Sequence, residues 1–196
     1  SGLAEVKTFH SLAHKILRQY VSGELTKGFE VFQGNDELIK EDFRIIADAE
    51  PPEFSDLFRN LKTSDEINFY FERCKYYDSS GHDDVVYRVL KKRMEGIIPA
   101  ITYDVIVVDE FQDFNLLEVE FIEKVLESKY KILIAGDDDQ AIYAFRLASA
   151  SHLRDRVKKS DYKFYTLPFC SRCTEVIVNA TNQIIENSVK KLKLSG

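Results

Sequence analysis

Apolar and polar positions follow two different periods along this chain, and the change of period divides it. Near the N-terminus Phe9, Leu12, Ala13, Ile16, Leu17 and Tyr20 recur at the spacing of one helical face, with Thr8 placed to cap the start and Ser22-Gly23 to stop it. Over residues 24–99 the apolar positions fall into four short amphipathic groups, 38–46, 54–61, 67–77 and 85–94, parted by Pro51-Pro52, Thr63-Ser64 and Ser79-Ser80-Gly81. This pattern predicts a helical subdomain whose last helix begins at Asp83 or Asp84 and is closed by Gly96 and Pro99. Beyond residue 99 the period shortens. Val105-Ile106-Val107-Val108 predicts a strand buried on both faces of a parallel sheet, 116–126 a helix, Ile132-Leu133-Ile134-Ala135 a second strand stopped by Gly136, 163–167 a third, shorter strand, and 176–185 a final helix. Strand, helix, strand, short helices, strand and helix is the order of an α/β fold with a parallel sheet, whose ligands gather where strands end.

Composition changes this picture little. A chain of 196 residues, 44% hydrophobic and 31% charged, suits one folded domain carrying an insertion rather than two complete cores or a disordered polymer. With no apolar run near the ~20 residues of a membrane helix and no signal-like N-terminus, a soluble cytoplasmic protein is expected. Three cysteines, two of them at Cys170 and Cys173, make no disulfide framework and half a zinc set without a second half, so reduced thiols are expected. Charge is more informative in its distribution than in its total of −6. Residues 24–99 carry 11 Lys and Arg against 17 Asp and Glu, whereas from 143 onward there are 10 against 4. The basic final third is read either as a face that holds phosphates or as a solvated surface, the latter favoured for Lys190-Lys191-Leu192-Lys193.

The candidate chemistry lies where the two predicted strands end. Val108 runs into Asp109-Glu110-Phe111-Gln112-Asp113, and Ala135 into Gly136-Asp137-Asp138-Asp139-Gln140. An apolar strand ending in Asp-Glu suits nucleotide hydrolysis, because the first carboxylate can hold Mg²⁺ while the second polarises the attacking water. Each loop also supplies a Gln, Gln112 and Gln140, able to orient water or sense a γ-phosphate. Tyr143 and Phe145, followed by Arg146, fit the stacking of unpaired bases. If this stretch begins a helix, the two rings diverge by about 200° and cannot share one buried face.

The longer strings carry a resemblance. Val107-Val108-Asp109-Glu110-Phe111-Gln112-Asp113 resembles motif II, and Gly136-Asp137-Asp138-Asp139-Gln140-Ala141-Ile142-Tyr143-Ala144-Phe145-Arg146 resembles motif III, of the UvrD/Rep type of superfamily 1 DNA helicases. Thr8-Phe9-His10-Ser11 is similar to the short motif Ib that touches single-stranded DNA, and 167–185 to the motif IV region. The resemblance implies a partial RecA-like ATPase core over 1–23 and 100–196, with a 1B-like insertion over 24–99. It implies Mg²⁺ coordination by Asp109, activation of water by Glu110, γ-phosphate sensing by Gln140 and charge stabilisation by Arg172, with ATP held by Asp109, Gln112, Gln140 and Arg172. Thr8, Phe9, His10, Tyr143, Phe145 and Arg146 would meet single-stranded DNA or a single/double-strand junction.

Two departures stand out. Cys170-Ser171-Arg172-Cys173 replaces the family's Asn-Tyr-Arg-Ser, and no Gly-x-x-x-x-Gly-Lys-Ser/Thr occurs. The second departure leads to the expectation of a fragment of a motor, lacking the P-loop segment and the second RecA-like domain and unable by itself to turn over ATP. The alternatives are a subunit of a helicase-nuclease that processes DNA ends, or a nucleic-acid-binding module that has lost turnover.

Overall fold

The computed structural model describes residues 4–20 and 30–187. In chain order the elements are α1 (Phe9–Tyr20), β1 (Glu30–Val31), α2 (Asn35–Ala47), α3 (Phe54–Arg59), α4 (Asp65–Tyr77), β2 (Ser79–Ser80), α5 (His82–Met94), β3 (Ile101–Val108), α6 (Leu116–Val125), β4 (Leu126–Ile134), α7 (Ser151–Val157) and α8 (Glu175–Asn187). Thr8 caps α1 as its sequence position suggests, its hydroxyl accepting the Ser11 N–H at 3.3 Å. Helix α5 begins at His82, one residue ahead of the expected Asp83, because Gly81 already lies in extended backbone at its N-cap. Gly96, at φ +77°, follows its end. Ser22-Gly23 and the basic 190–193 stretch lie outside the described residues.

One buried cluster joins Ala13, Ile16 and Leu17 of α1 to Ile39, Phe54, Phe58, Ile67 and Tyr70 of α2, α3 and α4, to Val85, Val86, Val89 and Leu90 of α5, and to Leu117, Phe121 and Val125 of α6. Helix α5 is its axis, with every residue from Asp83 to Leu90 buried. A smaller cluster forms where Val119 and Ile122 of α6 meet Ile106 and Val108 of β3 and Phe111 beyond it. Helix α6 therefore has two apolar faces, and each fully buried Phe, Leu or Val side chain contributes roughly 1.5–3 kcal/mol. Its start is fixed by a capping box: Asn115 accepts the Glu118 N–H at 3.1 Å while the Glu118 carboxylate accepts the Asn115 N–H at 3.0 Å.

The architecture is mixed α/β. β3 and β4 pair in parallel with α6 as the crossover, and β1 and β2 form a second two-residue parallel pair. An irregularity between Tyr103 and Val105 sets Lys129 and Tyr130 outside the ladder, and the Ser128 hydroxyl bridges it by donating to the Asp104 and Lys131 carbonyls.

Two expectations are corrected. The strand at 105–108 is buried on one face only: α6 covers Ile106 and Val108, while Val105 (53% exposed), Val107 (65%) and Leu133 (57%) open outward. The segment 163–167 is not a strand. Among the described residues it has no ladder partner, and Tyr165 and Leu167 are exposed, so β propensity has neither hydrogen bonds nor burial to act through. No helix among the described residues is long and apolar enough to cross a membrane.

A polar network runs through the helical cluster. Asn35 donates to the Tyr70 hydroxyl at 3.0 Å and accepts from Ser79 at 2.6 Å, and Tyr70 donates to Asp36 at 2.5 Å. Nearby, the Arg88 guanidinium donates to Asp84 at 3.2 Å and lies over the Phe71 ring. Burial pushes the Asp84 carboxyl up, against the pull of Arg88. Removing only the carboxylate is therefore the costly change. Asp84→Ala is expected to lower stability by about 3–5 kcal/mol, whereas Asp84→Leu combined with Arg88→Leu recovers most of it. Urea denaturation of the two variants checks this.

Candidate functional site

The ends of β3 and β4 are held together by the backbone and by one buried amide. Ala135 donates its N–H to the Val108 carbonyl at 2.8 Å, and Phe111 donates to the Ala135 carbonyl at 3.0 Å. Glu110 between them takes a left-handed conformation, φ 52°, that turns the chain into a single 3₁₀ turn, Phe111–Asp113. Its N–H donates to the Asp109 carboxylate at 3.0 Å. Gln112, only 1% exposed, donates to the Glu110 carboxylate at 2.7 Å and accepts the Asp137 N–H at 3.0 Å, so it spans from the first loop to the second. Gly136 makes that approach possible, since a Cβ there would stand 2.8 Å from the Gln112 oxygen and 3.3 Å from the Phe111 nitrogen.

The second loop is organised by Asp137. Its carboxylate accepts the Asp139 N–H at 3.1 Å and the Gln140 side-chain amide at 2.6 Å. Asp138 is paired with Arg154 of α7 at 2.8 Å. Asp109, Glu110, Asp113, Asp137, Asp138 and Asp139 thus collect at one sheet edge, with Asp109, Glu110 and Asp139 exposed. Burial raises the Asp113 carboxyl above its ordinary range, Glu110 adds to the rise and Arg146 opposes it. Among the described residues no three His, Cys, Asp or Glu side chains converge as a metal cage. Such an edge suits Mg²⁺, which keeps most of its waters and takes one or two protein carboxylates together with phosphate oxygens.

The residues assigned by resemblance divide into several places. Asp109, Glu110, Gln112 and Gln140 come together as described. Arg172 does not join them: it stands on the exposed bend 171–173, and among the described residues no hydrogen bond or ion pair connects it to either loop. Thr8 is occupied as the cap of α1. Phe9 serves the core in place of a base contact, its ring 5.1 Å from that of Phe114 and 5.3 Å from that of Phe121. His10 and Arg146 line one cavity of ≈ 390 Å³ with Phe32, Arg59, His82 and Asp83. There Arg59 pairs with Asp83 at 2.8 Å, and the His10 ring meets His82 edge to face at 5.3 Å. Burial raises the Asp83 carboxyl, but the hydrogen bond from His10 and the charge of Arg59 prevail and hold it below the ordinary range.

Tyr143 and Phe145 are both exposed, at 36% and 75%. Their rings do not diverge. The chain makes one 3₁₀ turn at Ala144–Arg146 instead of an α-helix, and the centroids lie 5.8 Å apart. Arg59, His82 and Asp83 are the residues that sequence reasoning missed. His82 and Asp83 carried only a helix-start signal, and nothing local ties them to His10.

The chain resembles known proteins over the same region. The UvrD/REP helicase N-terminal domain family matches residues 59–161. DNA helicase II of Haemophilus influenzae is 28% identical over 222 residues, covering 95% of this chain and 30% of the relative. The ATP-dependent DNA helicase PcrA of Bacillus subtilis is 25% identical over 217 residues, covering 93% and 29%, and that of Staphylococcus aureus is 36% identical over 88 residues, 43% of this chain and 12% of the relative. The chain therefore spans about 30% of the length of the first of these relatives.

The Gln112 bridge gives this site a direct test. Gln112→Glu places a second carboxylate against Glu110 and removes the donor, and is expected to cost ~1–3 kcal/mol. The added carboxyl titrates upward beside a like charge, so the loss is larger at pH 8 than at pH 5. Denaturation midpoints at the two pH values, compared with Gln112→Ala, measure it.

Proposed function

Because the chain belongs to the UvrD/REP helicase N-terminal domain family, we propose that it forms part of an ATP-dependent DNA helicase or translocase. In this reading, ATP hydrolysis drives movement along single-stranded DNA or at single/double-strand junctions. The observation that carries it is the Gln112 bridge, which ties the two acidic loops to each other directly upstream of two exposed rings. A change at the nucleotide edge can reach Tyr143 and Phe145 through Asp137 and Gln140 without crossing the hydrophobic core.

Asp109 is the residue to hold Mg²⁺, since its carboxylate is exposed at the strand end and oriented by the Glu110 N–H. Bound there, the ion would neutralise phosphate charge. Glu110 would accept a proton from the attacking water at its carboxylate, which Gln112 aims by donating to one oxygen. Gln140, steered by Asp137, would meet the γ-phosphate, while Arg172 would reach the nucleotide after rearrangement of its bend. His10, Arg146 and the two rings would contact the strand. The 24–99 helices form the 1B-like insertion of this reading. The uncovered Val105, Val107 and Leu133 fit a RecA-like sheet that continues in the parent protein together with a P-loop segment and a second RecA-like domain.

In the full-length protein, Glu110→Gln is expected to leave ATP binding nearly intact and reduce turnover by ~10²–10⁴-fold. Asp109→Ala should also weaken Mg²⁺-dependent binding. Unaltered turnover in both variants would remove the assignment. Phe145→Ala is expected to weaken oligo-dT binding about five- to a hundredfold, equivalent to ~1–3 kcal/mol, with little change in melting temperature. Anisotropy at fixed salt with thermal melts checks it, and unchanged affinity with a much lower melting temperature would make Phe145 a structural residue.

A further inference from the structure

Cys170 and Cys173 flank the bend at 171–173, directly before the thirteen-residue helix α8. Both are free and exposed, whereas Cys74 is buried. The two exposed thiols hydrogen-bond each other, and the Cys170 sulfur also accepts the main-chain N–H groups of Cys173 and Arg172. These donors, Cys173 foremost, hold the Cys170 thiol below its ordinary range, with the Arg172 charge adding to the effect. Cys173 is raised by its neighbour, and burial pushes Cys74 up to about 12. A thiolate is the reactive form of cysteine, and main-chain donors, a nearby cation, a helix N-terminus and Cys-x-x-Cys spacing are the settings that favour it. All four meet at Cys170, with a second thiol already in contact.

We propose that Cys170 and Cys173 form a redox-active dithiol that reacts with small disulfides of the glutathione class and closes into an intrachain disulfide around Arg172. Cys170 is the attacking thiolate: it bonds to one sulfur of the small disulfide and expels the other half as a thiolate. Cys173 then loses its proton to that leaving thiolate, bonds to the Cys170 sulfur and expels the second half, which takes up a proton from solvent. The cysteine pair gives up two electrons and two protons, and the small disulfide leaves as two thiols. This chemistry stands independently of the helicase reading.

The full chain treated with oxidised glutathione is expected to lose two free thiols, carry no lasting glutathione adduct, and recover both thiols with dithiothreitol. Cys74 stays unmodified until the chain unfolds. Cys173→Ser should trap glutathione on Cys170, while Cys170→Ser should react about tenfold more slowly than Cys173→Ser. Peptide mass spectrometry reads each species. A persistent glutathione adduct on the unsubstituted chain, or equal rates in the two variants, would overturn the proposal.

Discussion

Helix α6 has to bury two faces at once, and the layers of the structure are arranged around that requirement. Leu117, Phe121 and Val125, each one helical turn from the next, close the helical cluster, while Val119 and Ile122 cover Ile106 and Val108 of the sheet. A helix apolar on both sides is stable only between two layers, so α1 and α5 on one side and β3 on the other are held by the same ten residues. The capping box at Asn115 and Glu118 then sets where α6 starts, and with it the length of the loop that carries Asp109 to Asp113.

That loop is short and must change direction within two residues of a buried strand. The left-handed turn at Glu110 achieves this, and the buried amide of Gln112 stabilises it by satisfying groups from both loops. A buried polar group costs free energy unless fully hydrogen-bonded, and Gln112 meets that condition only because Gly136 lacks a Cβ. The Asp-Glu edge and the aromatic pair are coupled by these few contacts.

The basic character of the final third looks different once folded. Arg154 is paired with Asp138, Arg156 with Glu123 and Lys158 with Asp155, so much of the positive excess is matched by neighbouring acids. Arg146 instead lines the cavity with His10. The usable surface features are local: two adjacent rings, that cavity, the uncovered face of a two-stranded sheet, and a pair of thiols in contact.

Hydrophobic period and cap residues by themselves determined the helices at 9–20, 35–47, 54–59, 65–77, 82–94, 116–125 and 175–187, because these signals act within one or two turns. They also determined the two acidic loops, since an apolar run followed by Asp and Glu can only leave the core there. Tertiary structure decided the rest. Whether 163–167 became a strand depended on a neighbouring strand, and whether Val105 and Val107 were buried depended on a second covering layer. Phe9 became a packing residue because Phe114 and Phe121, distant in sequence, close on it, and the rings of Tyr143 and Phe145 met because their segment forms a 3₁₀ turn. His10 found His82 and Asp83 only through the packing of α1 on α5. A periodic pattern encodes which face of an element is apolar. It carries no information about which distant face will meet it, because that choice is made by the summed burial of many side chains rather than by any local preference.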